Sequence, residues 1–146
     1  MCKGDFMGLA KDYLLRNKYL INELKELEET YLTLKSKYKS IGFSSGGYSD
    51  YVTTSPNPDK FTNVLYRVMG AEKKLNKAKR KLKQYQVEAI QRICTLSNEN
   101  YRCILKFRYF NFMSFNQIAK ELKLSVQWTL KLHKDALKEF DNMFYC

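Results

Sequence analysis

Gln127, Lys131 and Lys134 stand at positions i, i+4 and i+7 of a stretch whose intervening residues are largely apolar. On a helix they share one face. Their chemistry is hydrogen bonding and charge pairing. A carboxamide pairs with an adenine edge, an ammonium donates to the acceptors of guanine, and an apolar group packs on a thymine methyl. Val126 and Leu130 supply the apolar contacts and Ser125 begins the stretch. The candidate base-reading face is therefore Ser125, Val126, Gln127, Leu130, Lys131 and Lys134. Asn116, Gln117, Lys120 and Lys123 precede it and are candidates for phosphate oxygens. Trp128 is assigned to packing, in the core or at the helix end.

Other chemistries lack their residues. The single histidine, His133, has no Cys, Asp or Glu at ligand spacing, and follows Leu132, an expected core position. It reads as a structural or phosphate-facing residue and not as a catalyst. Cys2, Cys94, Cys103 and Cys146 stand far apart, without C-x-x-C or C-x-x-H spacing, so free thiols are expected and no metal site. No phosphate-binding loop, dinucleotide fingerprint or nucleophile elbow occurs. Gly46-Gly47 lies in a Ser-rich stretch without a following Lys-Ser/Thr and reads as loop. The expectation is a binding protein, not an enzyme, with no cofactor.

Composition points the same way. The 146 residues hold 26 Lys+Arg against 15 Asp+Glu, a net charge of +11, so the partner should be anionic, nucleic acid before membrane. The excess is concentrated in residues 51–95, with ten basic and three acidic side chains. At 45% hydrophobic the chain can build a core, and its 6 Gly and 2 Pro disfavour a many-turned β fold. No long apolar run suggests a membrane span, the first residues do not read as a secretory signal, and a cytoplasmic location is expected.

Three short amphipathic helices must position the candidate face. Ser97 is the expected cap of the first, which runs to about Phe110 with Tyr101, Ile104, Leu105 and Tyr109 as apolar positions. A turn at Asn111–Met113 follows. Ser114-Phe115-Asn116-Gln117 is an S-x-x-Q capping box opening the second, and Ser125 caps the third, from Val126 to about Phe140. The last two fit a helix-turn-helix template. Ala119 takes the small crossing position and Ile118, Leu122, Leu124, Thr129 and Leu132 the buried ones, continuing through Ala136, Leu137 and Phe140. Lys123 occupies the turn position where glycine is usual, which requires a strained turn.

Ahead of these lies a long apolar seam with alternating spacings of four and three: Phe6, Ala10, Tyr13, Asn17, Leu20, Leu24, Leu27, Tyr31, Leu34, Tyr38 and Ile41. A second runs through Phe61, Val64, Val68, Ala71, Leu75, Ala78, Leu82, Tyr85 and Ala89. Both have the coiled-coil period, and Ala71 and Ala78 would let a partner helix approach closely. Between them lies GFSSGGYSDYVTTSPNP, with Asn57-Pro58 suited to start a helix. The expected fold class is all-α. A long antiparallel coiled-coil helical hairpin occupies residues 1–95, with helices at about 5–41 and 58–95 and a flexible loop at 42–57. A small helix-turn-helix domain occupies residues 96–146. The face of Glu23, Glu26, Glu28 and Glu29 should lie near Lys73–Lys77. Lys73, Lys74, Lys77, Arg80 and Lys81 form a basic helix face, either solvated and partly salt-bridged or an accessory contact for phosphate. A homodimer is expected, because one helix-turn-helix covers one half-site and the tyrosines of the seams are large for a two-helix hairpin to cover.

Residues 104–140 resemble region 4 of bacterial sigma factors, in the Arg108-Tyr109 pair, the S-F-x-x-I-A of Ser114 to Ala119 and the L-H-K-x-A-L of Leu132 to Leu137. The whole chain resembles the ArpU/RinA-type phage transcriptional regulators, including the Ser44-Ser45-Gly46-Gly47-Tyr48-Ser49-Asp50 loop. That resemblance implies sequence-specific binding of double-stranded DNA and control of phage genes, often activation of late genes, in the cytoplasm of a bacterial host. Val126 and Leu130 replace the charged residues usual at the start of the sigma recognition helix, which implies a different DNA site. The hairpin is a candidate contact for host RNA polymerase. The rival expectation is an interaction protein whose basic hairpin binds or inhibits a host nucleoprotein machine.

Overall fold

A computed structural model of the chain describes residues 7–43 and 58–145. Among these, five helices and no strands occur: α1 (Met7–Phe43), α2 (Pro58–Cys94), α3 (Glu99–Tyr109), α4 (Phe115–Glu121) and α5 (Val126–Phe144). The protein is all-α, as the two apolar periods require. The helix ends differ slightly from expectation, with α1 continuing to Phe43 and α2 ending at Cys94. Phe6, the Asn57 cap, loop residues 44–57, Cys2 and Cys146 lie outside the described residues. No described helix is long and apolar enough to cross a membrane.

Packing divides the chain within α1 and α2. One compact unit is Ile21–Lys81; the other joins the residues up to Leu20 with those from Leu82 onward. The boundary thus falls inside the helices, whereas a division at residue 95 follows their order along the chain.

In the Ile21–Lys81 unit the two helices run antiparallel. Tyr38 packs on Phe61 with ring centroids 4.9 Å apart. Glu28 pairs with Lys79 at 3.3 Å and Glu23 with Lys81 at 3.9 Å. The ion pairs therefore use the cations beyond the expected Lys73–Lys77 stretch. Both are exposed, and such pairs contribute little to stability.

The second unit holds the core. Ala10 and Leu14 of α1 pack with Ile93, Leu96, Leu105, Tyr109, Ala136, Leu137 and Phe140. Leu20, Tyr85 and Ala89 form an adjoining cluster. Leu14 lies off the heptad seam and is nevertheless fully buried, because α1 here packs against more than α2. Asn17, the polar interruption, is buried: its Nδ2 donates to the Tyr109 carbonyl at 3.0 Å, and its Oδ1 accepts from Gln86 Nε2 at 2.9 Å. The Tyr85 hydroxyl donates to the Tyr13 carbonyl at 2.6 Å. These bonds satisfy polar groups that would otherwise be costly to bury. Asp141 of α5 accepts from the Ala10 amide of the first turns of α1 at 2.7 Å. Burial raises its pKa while the Ala10 bond lowers it, with a net rise.

Ser97 is not the cap of α3. Asn98 is, accepting from the Asn100 amide at 2.9 Å, while Ser97 donates from its amide and hydroxyl to Glu139. Asn98 holds the extended backbone and places its side-chain oxygen against the donor two residues on, the Asn100 amide, which takes the role from its neighbour.

Candidate nucleic-acid interface

The candidate interface is built on α4 and α5. At the start of α4 the capping box is complete: the Gln117 amide donates to Ser114 Oγ at 3.3 Å, and the Ser114 amide to Gln117 Oε1 at 2.9 Å. Arg108 fixes the approach to it, donating to the Met113 carbonyl at 3.0 Å and stacking 4.6 Å from the Phe115 ring centroid. Phe112, in the same turn, holds φ 55.

The turn from α4 to α5 shows why Lys123 can stand where glycine is usual. Lys123 has φ 55. Its amide donates to the Lys120 carbonyl at 3.2 Å, and the Leu124 amide to the Ala119 carbonyl at 2.8 Å. These two bonds are the Schellman closure, which places one residue in the left-handed region. Leu122 and Leu124 pack with Ile104, Ile118 and Leu132 beneath the turn. Ser125 then caps α5, accepting from the Trp128 amide at 3.2 Å, and the buried Thr129 hydroxyl donates to the Ser125 carbonyl.

This scaffold buries every position assigned to the core: Ile118, Ala119, Thr129, Leu132, Ala136, Leu137 and Phe140 are buried, with Leu122 and Leu124 half-buried. All six candidate base-reading residues are exposed, with Val126 at 38% and Leu130 at 39%. Asn116, Lys120 and Lys123 are exposed as well. Gln117 is exposed, but its carbonyl oxygen is committed to the capping box, so it orients α4 before it can serve a phosphate. Lys138 extends the candidate cationic face beyond the residues read from the sequence. It is exposed one turn beyond Lys134, and the i+4 and i+7 spacing from Lys134 and Lys131 was the available signal.

Trp128 corrects the packing expectation. It is 46% exposed, with Lys131 Nζ 5.0 Å from its ring centroid. Four residues beyond Leu124 but off the Thr129–Leu132–Ala136 stripe, it faces away from the core. Lys131 therefore leaves a cation–π contact, worth about 0.5–1 kcal/mol at an exposed site, before it reaches any partner.

His133 is structural. Its Nε2 lies 3.1 Å from the Tyr109 hydroxyl, and its ring meets Phe115 edge-on at 5.0 Å. Burial, then Arg108 and Lys11, push its pKa down to about 4, so the ring is neutral at pH 7. Burial pushes Tyr109 up to about 12.

The accessory cations belong to the other unit. Lys73, Lys74, Lys77, Arg80 and Lys81 are all exposed, and Lys81 faces Glu23.

The fold and site define a small all-α protein in which a capped C-terminal helix presents amide, apolar and cationic side chains together. The chain belongs to the family described as "Protein of unknown function (DUF1492)", which matches residues 43–141. No curated protein and no solved structure gives a significant match.

Proposed function

We propose that the chain is a sequence-specific, double-stranded DNA-binding regulator of phage or prophage transcription, acting as an activator of late genes. In this reading α4 and α5 are its helix-turn-helix. The observation that carries it is the sorting of α5: Ser125, Val126, Gln127, Leu130, Lys131 and Lys134 are exposed, while Thr129, Leu132, Ala136 and Leu137 of the same helix are buried. The start of α5 enters the major groove. Gln127 pairs with adenine, Lys131 with guanine, and Val126 and Leu130 pack on thymine methyls. Asn116, Lys120 and Lys123 hold phosphates. The resemblance of residues 104–140 to sigma region 4, and of the chain to ArpU/RinA-type regulators, supports the same reading and the bacterial cytoplasm as its setting.

The exposed cations of the Ile21–Lys81 unit favour a second reading, docking of the basic hairpin on a host nucleoprotein machine such as RNA polymerase or a defence complex. Duplex binding at several salt concentrations, with wild type and a Lys77→Ala/Arg80→Ala/Lys81→Ala variant, separates them. If these side chains touch phosphate, the variant binds all sequences more weakly, and its salt slope falls by about one per lost contact. If they serve protein docking, duplex affinity and slope stay as in wild type, and capture of the host complex is lost.

A further inference from the structure

The Ile21–Lys81 unit leaves its own seam half covered. Leu24, Leu27, Tyr31, Leu34, Tyr38 and Ile41 of α1 are only half-buried, and among the α2 seam residues of this unit only Leu75 is buried. Two helices cover only one stripe of each other, and a four-helix bundle covers such seams from both sides.

Charge is incompletely paired in a complementary way. Glu23 and Glu28 take Lys81 and Lys79. Among the described residues, Glu26 and Glu29 of α1 make no ion pair, nor do Lys73 and Lys74 of α2. These groups border one face. Thr30 lies one heptad beyond Glu23, and Lys74 one heptad before Lys81, the two residues that meet at 3.9 Å. On the α1 side of that face is a groove lined by Glu26, Glu29, Thr30, Thr33 and Leu34.

Gly70 supplies an independent observation. It lies one turn from Lys74, deep inside the 37-residue helix α2, and is exposed. A Cβ built there would meet nothing within 4 Å. An interior glycine weakens a helix relative to alanine, and no neighbour among the described residues requires the missing side chain. The Tyr38–Phe61 pair sets Gly70 level with Glu29 and the Glu23–Lys81 pair sets it level with Leu34, so in either register Gly70 lies level with the groove.

We propose that this face binds a second copy of the chain, related by a two-fold axis parallel to the helices. The α2 helix of each copy sits in the Glu26–Leu34 groove of the other. Each helix then runs antiparallel to both neighbours, as in an up-and-down four-helix bundle. Gly70 is the point of closest approach, and Lys73 and Lys74 of one copy meet Glu26 and Glu29 of the other. The symmetry makes every contact twice. This assignment is independent of whether α5 binds DNA.

Sedimentation of the full chain tests it. Wild type should sediment at twice the 17.3 kDa chain mass at tens of micromolar. Gly70→Arg should keep its helical circular dichroism and weaken the dimer on the order of thirtyfold or more. Should that variant fail to fold, charge exchange decides. A Glu26→Lys/Glu29→Lys chain and a Lys73→Glu/Lys74→Glu chain should each be monomeric, and an equimolar mixture should form a heterodimer, because both α1–α2 contacts then regain opposite charges. A wild-type monomer, a larger oligomer, a folded Gly70→Arg dimer, or a mixture that stays monomeric overturns the proposal.

Discussion

Replacing Lys123 with glycine separates what this residue costs the fold from what it gives a ligand. Lys123 holds φ 55 at the residue that closes α4. A non-glycine residue in the left-handed region costs about 1–2 kcal/mol. Glycine removes that cost and returns about 0.5–1 kcal/mol through its greater freedom in the unfolded chain. The net gain is about 0.5–1 kcal/mol, which for a chain of this size raises Tm by about 1–4 °C. Lys123→Ala loses the same charge and keeps the strained backbone, so it should not share the gain. In DNA binding the two variants should behave alike, each lowering affinity for all sequences and reducing the salt slope by about 0.9 if Lys123 holds one phosphate. Calorimetry and duplex titrations at several salt concentrations read both effects. A glycine variant no more stable than the alanine variant would refute the strain argument. Unchanged affinity and slope in both would remove Lys123 from the interface.

Three further outcomes follow from buried polar groups. His133 has a folded-state pKa of about 4 against an unfolded value near 6.5, so the unfolded chain binds the extra proton between them. Its contribution is present above about pH 6.5 and is lost as pH falls toward 4, by roughly 1–3 kcal/mol. A His133→Gln variant should flatten the stability profile over that window, and urea titrations at pH 7 and pH 5 that show no flattening would contradict the assignment. Asp141→Asn keeps an acceptor for the Ala10 amide and removes a desolvated charge, so it should retain or raise stability at pH 7. Asp141→Ala should cost about 1–3 kcal/mol by leaving that amide unpaired; equal Tm values for the two would contradict the helix-anchoring role.

Much of this was legible in the sequence because periodicity and capping are local. Each described seam residue is at least half-buried, and the Ser114-x-x-Gln117 box closes as its spacing dictates. The face of α5 was legible for the same reason: a 3.6-residue period sorts Leu132 from Lys131 without knowledge of the partner helix. Non-local pairings were not. Asn17 marks a polar site in the seam, but its partners Tyr109 and Gln86 lie far along the chain. Leu14 is buried by a second packing surface that a heptad does not encode. Ser97 and Asn98 are adjacent cap formers, and backbone geometry decided between them. Trp128 was assigned by residue type, and its helix azimuth overruled that.

Selection from a random duplex library, followed by titration of the enriched site against random DNA, tests the central claim that the outer face of α5 reads sequence. Wild type should enrich a defined site. Replacing Gln127 and Lys131 together with Ala should remove the preference, since each base contact contributes about 1–3 kcal/mol and two lost contacts cost roughly thirtyfold or more in discrimination. A double variant that keeps full preference for the site, or a wild-type chain that enriches none, would contradict the account.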